Sequence, residues 1–182
     1  DSRRLLLVED EAIVAFSEKR MLEKHGYAVV TAYNGEDAVQ VATNGTGIDL
    51  ILMDIDLGAG IDGTEAARRI LEARRVPIVF LTAHAEQEYV ERVKAITSYG
   101  YVLKNSGEFV LSQSIEMALQ LSEAHREVEA KEARMEQIID DAPVGIYQSW
   151  SQGGFRHANK KLAGLLGFDS PEELLNHYND IK

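Results

Sequence analysis

Three apolar runs without internal alternation, Leu5-Leu6-Leu7-Val8, Leu50-Ile51-Leu52-Met53 and Ile78-Val79-Phe80-Leu81, constrain this chain more than any other feature. Successive side chains of a strand point to opposite faces, so a strand with one wet face alternates apolar and polar residues. A run that is apolar throughout needs cover on both faces, as in a parallel sheet between two helical layers. Ala28–Tyr33 and Tyr101–Leu103 read as two further strands, and helix-patterned segments separate or follow all five. The alternation predicts a doubly wound α/β fold.

Boundary signals agree with that alternation. Asn34, with Asp37 three residues on, suits a helix N-cap; Asp62-Gly63-Thr64 opens Glu65–Arg74; and Gly26 ends Glu11–His25. Ser106 is expected to cap a last helix beginning near Gly107, and no Gly or Pro interrupts the chain from Phe109 to Ile139. A heptad frame through Ala118, Leu121, His125, Val128, Glu132, Met135 and Ile139 predicts a homodimer through Ala118, Leu121, Val128 and Met135, with His125 a polar seam residue. Glu123–Asp141 is charge-rich and acidic, whereas Gly and aromatic residues become frequent from Pro143. The expected division is a first domain over 1–121, a helical, coiled-coil-like linker over 122–141 and a second segment over 142–182.

Composition narrows the function. The 182 residues, 45% hydrophobic, suffice for a full core and part of a second one. No run of eighteen apolar residues occurs and the polar start does not read as a signal peptide, so neither a membrane span nor export is expected. The lack of cysteine excludes disulfides and thiolate metal sites and suits a cytoplasmic location. A net charge of −11 disfavours nucleic-acid binding, which needs clustered cations. The densest basic stretch, Arg68-Arg69 and Arg74-Arg75, is interleaved with Glu65 and Glu72 and reads as a solvated helix face.

In an open α/β sheet, ligands bind beyond the carboxyl ends of the strands. Strand one ends in Glu9-Asp10-Glu11, strand three in Asp54 followed by Asp56, strand four in Thr82 and strand five in Lys104. Carboxylates so close repel one another unless a cation balances them. Mg²⁺, a hard ion that takes carboxylate, phosphate and water oxygens, fits such a rim. A carboxylate there can attack a phosphoryl group in line while a lysine and a hydroxyl take its oxygens, with phosphoaspartate as the product. No pair among His25, His84, His157 and His177 has metal-ligand spacing.

These motifs, L-L-V-E-D-E at Leu6–Glu11, L-M-D-I at Leu52–Ile55, L-T-A at Leu81–Ala83 and G-Y-V-L-K at Gly100–Lys104, resemble a response-regulator receiver domain over roughly residues 3–121. The resemblance implies a flavodoxin-like five-stranded parallel sheet of order 2-1-3-4-5 with a long C-terminal helix, and phosphoryl transfer to Asp54 from a histidine kinase or phosphotransfer protein. It places Glu9, Asp10 and Asp54 on Mg²⁺ with the Asp56 backbone carbonyl, and makes Thr82 and Lys104 the groups that sense the phosphoryl oxygens. It also makes Tyr101 a switch aromatic whose inward turn alters the surface of strand five and its flanking helices, and small Ala83 an opening to Asp54. Two positions depart from the family pattern: Glu9 replaces the commoner Asp, and Asn105 follows Lys104 where a proline with a cis peptide is usual.

Ile138–Tyr147, Ala158-Asn159, Leu165–Phe168 and Ser170–Leu174 resemble the beginning of a PAS sensor domain, of partial α+β character. On that resemblance the chain stops before the remaining strands, leaving Leu162, Leu165 and Leu166 uncovered, and the parent protein is expected to be a sensor histidine kinase or cyclic-dinucleotide enzyme. Two alternatives remain. Asp54-Ile55-Asp56 is similar to the paired aspartates of haloacid-dehalogenase phosphohydrolases, although there the pair ends the first strand, and the long helix would also suit a phosphorylation-independent dimerisation scaffold.

Overall fold

The computed structural model describes residues 2–45, 47–83, 91, 93–96, 99–151 and 154–179. The first unit, Asp1–Ala124, has strands β1 (Arg4–Val8), β2 (Ala28–Ala32), β3 (Leu50–Asp54), β4 (Ile78–Thr82) and β5 (Tyr101–Leu103). They pair in parallel in the order β2-β1-β3-β4-β5. Helices α1 (Ala12–Lys24), α2 (Gly35–Asn44) and α3 (Gly63–Ala73) follow the first three strands, and α4 (Glu108–Asp141) follows β5. The segment between β4 and β5, including His84, lies largely outside the described residues.

Strand packing accounts for the unalternated runs. Leu6, Val8, Ile51, Met53, Ile78 and Phe80 pack on one side with Ala38 and Ala42 of α2 and Ala66, Ala67 and Ile70 of α3. Leu5, Leu7, Leu50, Leu52, Val79 and Leu81 pack on the other with Leu22 of α1 and Leu111, Ile115, Ala118 and Leu119 of α4. Each fully buried aliphatic side chain contributes roughly 1.5–3 kcal/mol, so both layers are needed to hold a strand that has no polar face.

The predicted caps at Asn34 and Asp62 are present: Asn34 Oδ1 accepts from the Asp37 amide at 2.7 Å, and Asp62 Oδ1 from the Glu65 amide at 2.9 Å. Three expectations are corrected. Gly107, at φ +88°, occupies the position before α4 and accepts the Leu111 amide there, in place of Ser106. Arg74 leaves the solvated face: its guanidinium donates to the carbonyls of Ala42, Gly45 and Ile48 at 2.9–3.1 Å, tying down the end of α2, whereas Arg68 and Arg69 do pair with Glu65 at the surface. Ala118 is buried in the sheet-facing core and cannot belong to a seam. The large apolar residues of α4 left exposed are Phe109, Val110, Met117, Leu121, Val128, Met135 and Ile138.

The second unit, His125–Lys182, contains the antiparallel pair β6 (Tyr147–Ser149) and β7 (Phe155–Ala158) and helices α5 (Lys160–Leu166) and α6 (Pro171–Asn179). Its small core joins Ala158, Ala163 and Leu174. Asn159, fully buried, accepts from the amides of Ile146 and Leu162 and donates to the carbonyls of Ile139 and Val144 at 2.7–3.0 Å. Leu165 and Leu166 are exposed, whereas Leu162 packs against the core.

Candidate functional site

The site lies where four adjacent strands end together. Ladder bonds continue past the strands, from the Glu9 amide to Ala32, the Ile55 amide to Leu81 and the Lys104 amide to Thr82, at 2.9–3.2 Å. They hold Glu9, Asp54, Thr82 and Lys104 on one rim. Glu9 is 1% exposed, Asp54 4% and Thr82 2%, while the Asp10 and Asp56 side chains face solvent.

Lys104 binds the two buried carboxylates. Its Nζ lies 2.6 Å from Asp54 Oδ2 and 2.6 Å from Glu9 Oε2. The remaining oxygens accept backbone amides at 3.3 Å, Glu9 Oε1 from Glu11 and Asp54 Oδ1 from Asp56. Burial pushes the pKa of both acids above the ordinary carboxylate range, against the pull of the lysine. Burial also disfavours the charge on Lys104, but its hydrogen bonds to Asp54 and Glu9 outweigh that and raise its pKa.

Glu9, Asp10 and Asp54 each offer a carboxylate oxygen, all within 4.8 Å of one another. A hard-oxygen donor set of that size and charge suits Mg²⁺. The Asp56 side chain is not part of this group; Asp56 contributes its amide to Asp54.

Two glycines permit the close approach. A Cβ on Gly63 would lie 1.8 Å from the Asp54 carbonyl oxygen, and Gly58, at φ +63°, would place one 3.0 Å from Asp10 Oδ2. Tyr101 on β5 is 38% exposed. No peptide bond among the described residues is cis, so the Lys104–Asn105 bond is trans.

Sequence reasoning missed Glu18. It lies on α1 between buried Ala15 and Leu22, in the stripe that faces the sheet. A charged residue at an i, i+3, i+7 position of an otherwise apolar face was the available signal. Its Oε2 is closed to solvent and accepts no hydrogen bond among the described residues.

An open parallel sheet carrying buried acids and a lysine at neighbouring strand ends defines an α/β module with an acidic site at its carboxyl edge. The model of the response regulator receiver domain family matches residues 5–116, and the chain belongs to that family. Over 118 residues it is 36% identical to the transcriptional regulatory protein PdtaR of Mycobacterium tuberculosis, covering 64% of this chain and 57% of that protein. The chain thus spans little more than half the length of that relative.

Among solved structures, the N-terminal domain of a response regulator/sensory box/GGDEF three-domain protein from Carboxydothermus hydrogenoformans is 46% identical, with a TM-score of 0.63, over 67% of this chain and 98% of that one. The receiver domain of a sensor histidine kinase from Pseudomonas aeruginosa, with magnesium coordinated in its active-site cleft, is 32% identical, with a TM-score of 0.60, over 66% and 99%. The first unit is therefore a two-component receiver domain, and family membership decides against the dehalogenase-like reading. Consistent with that fold, no helix among the described residues is long and apolar enough to cross a membrane.

Proposed function

We propose that Asp54 is the phosphoacceptor. The observation that carries this is its position: a nearly buried carboxylate with one oxygen on the Lys104 ammonium and two further carboxylates within 4.8 Å. An oxygen of Asp54 attacks the phosphorus of a phosphohistidine on a histidine kinase or phosphotransfer protein. The P–N bond breaks, its electrons return to the imidazole, and an acyl phosphate forms on Asp54.

Glu9, Asp10, Asp54 and the Asp56 carbonyl would hold Mg²⁺, which supplies charge neutralisation for the phosphoryl oxygens when bound. Lys104 and the Thr82 hydroxyl take those oxygens, and Tyr101 turns inward as Thr82 shifts. Incubation with a small phosphodonor and Mg²⁺ should add one hydroxylamine-sensitive phosphoryl group to wild type and none to Asp54→Asn. An unmodified wild type would overturn the assignment.

The domain reading is a receiver over 1–121, a linker over 122–141 and the start of a PAS sensor over 142–182, in a cytoplasmic protein. Two short antiparallel strands leading into an Asn-capped helix support it, as does the sensory box in the name of the Carboxydothermus relative. The output would be a histidine kinase or cyclic-dinucleotide enzyme.

A homodimer through α4 accompanies this reading. With Ala118 excluded, Met117, Leu121, Val128, Met135 and Ile138 carry the seam, at spacings of three, four or seven. Val128→Glu should convert a dimer to monomers in sedimentation. A monomeric wild type at high concentration would refute it.

A further inference from the structure

Lys104 is committed to two carboxylates that the metal would also need. Its ammonium sits 2.6 Å from both Glu9 and Asp54, so a cation arriving at those oxygens must displace it or share them. An ammonium leaving two buried acids is held close to the site if another anion lies nearby.

Such an anion exists. Glu18 of α1 and Lys104 line the same cleft of about 270 Å³, with Ser17 beside Glu18, Glu108 of α4 across from it, and Leu81 and Val102 forming apolar wall. Its Oε2 is shut from solvent without a hydrogen-bond partner. A carboxyl oxygen buried in that way is costly when charged and calls for a partner. The charged groups acting on Glu18 are Glu9 from the end of β1, Asp54 from the end of β3 and Lys104 from beyond β5; Glu108 of α4 faces the cleft.

We propose that Glu18 is a positioning residue for Lys104, an alternative anion in the α1 cleft that competes with Glu9 and Asp54 for the ammonium and so frees their oxygens for a divalent cation. The inference rests on the metal reading above. Burial, reinforced by the negative charge of Glu9, pushes the Glu18 pKa up to about 7, so the carboxyl passes between its neutral and anionic forms near neutrality. The competing form is the anion, present above that pH.

Two measurements test this. The first needs neither metal nor phosphoryl group: the Lys104 Nζ resonance should move more with pH around neutrality in wild type than in Glu18→Gln. A Glu18→Gln curve that follows wild type would overturn the proposal. The second is Mg²⁺ affinity by calorimetry. Wild type should bind roughly five- to tenfold more tightly than Glu18→Gln at pH 8, the size expected of one nearby charge, and the two should converge near pH 6.

Equal affinity at pH 8 would also overturn the proposal. Glu18→Leu, matched to the apolar stripe of α1, gives the same readings should the amide disturb the fold. If wild type binds no Mg²⁺ at any pH, the metal reading fails, and Glu18 is judged by the lysine resonance alone.

Discussion

The ammonium of Lys104 lies 2.6 Å from Oδ2 of Asp54, across fifty residues of sequence. Together with the equally short contact to Glu9, that pair offsets the cost of burying two carboxylates at the end of the sheet. It is therefore both a stability element and the gate to the acidic site.

Lys104→Met should destabilise the receiver, because it leaves Glu9 and Asp54 buried without a cation. Breaking a buried pair from one side costs roughly 3–5 kcal/mol. Denaturant titrations should show the loss at pH 7.5 and a smaller one at pH 5, since both acids have raised pKa values and accept protons as the pH falls.

Gly63→Ala should strike the site through the backbone. The new methyl would sit 1.8 Å from the Asp54 carbonyl, so the turn after β3 must move. We expect a loss of at least about 2 kcal/mol in thermal or chemical unfolding, with weakened Mg²⁺ binding in whatever remains folded.

Glu18 should make stability fall with rising pH. Its folded pKa, about 7, exceeds the unfolded value of 4.5, so the folded state holds the extra proton between those limits. The contribution is full below about pH 4.5 and is lost as the pH rises through 7. Glu18→Gln should flatten that part of the stability profile and leave the protein more stable than wild type at pH 8.

Asn159→Ala should unfold the second unit selectively. The change removes four hydrogen bonds and orphans two amides and two carbonyls around a fully buried side chain, at a cost of roughly 2–4 kcal/mol. Amide exchange should rise across residues 142–179 and stay unchanged across β1–β4. Equal loosening in both units would contradict the separate core of this unit.

Much of the first unit was legible from residue order. Apolar runs such as Ile78–Leu81 specify strands covered on both faces, and the Asn34 and Asp62 caps follow from local backbone chemistry that needs no distant partner. The acids and the lysine of the candidate site were legible because a parallel sheet brings strand ends to one edge. Asn159 was visible only as part of a motif, since its four partners lie up to twenty residues away.

Helix faces were harder to read. The heptad spacing of α4 admits two neighbouring frames, and only the contact of Ala118 with Leu111, Ile115 and the sheet removes one of them. Periodicity fixes spacing around a helix but not which side meets the core. Arg74 likewise read as a surface charge until its three carbonyl partners were in place.

By itself, then, the sequence determined the strands, their covered faces, the local caps and the residue types at the strand ends, because these follow from patterning within a few positions. The tertiary structure alone decided that Lys104 spans Glu9 and Asp54, that Glu18 Oε2 is closed to solvent, and which side of α4 stays open. Those outcomes depend on desolvation and on contacts between residues far apart in the chain, which the order of residues does not carry.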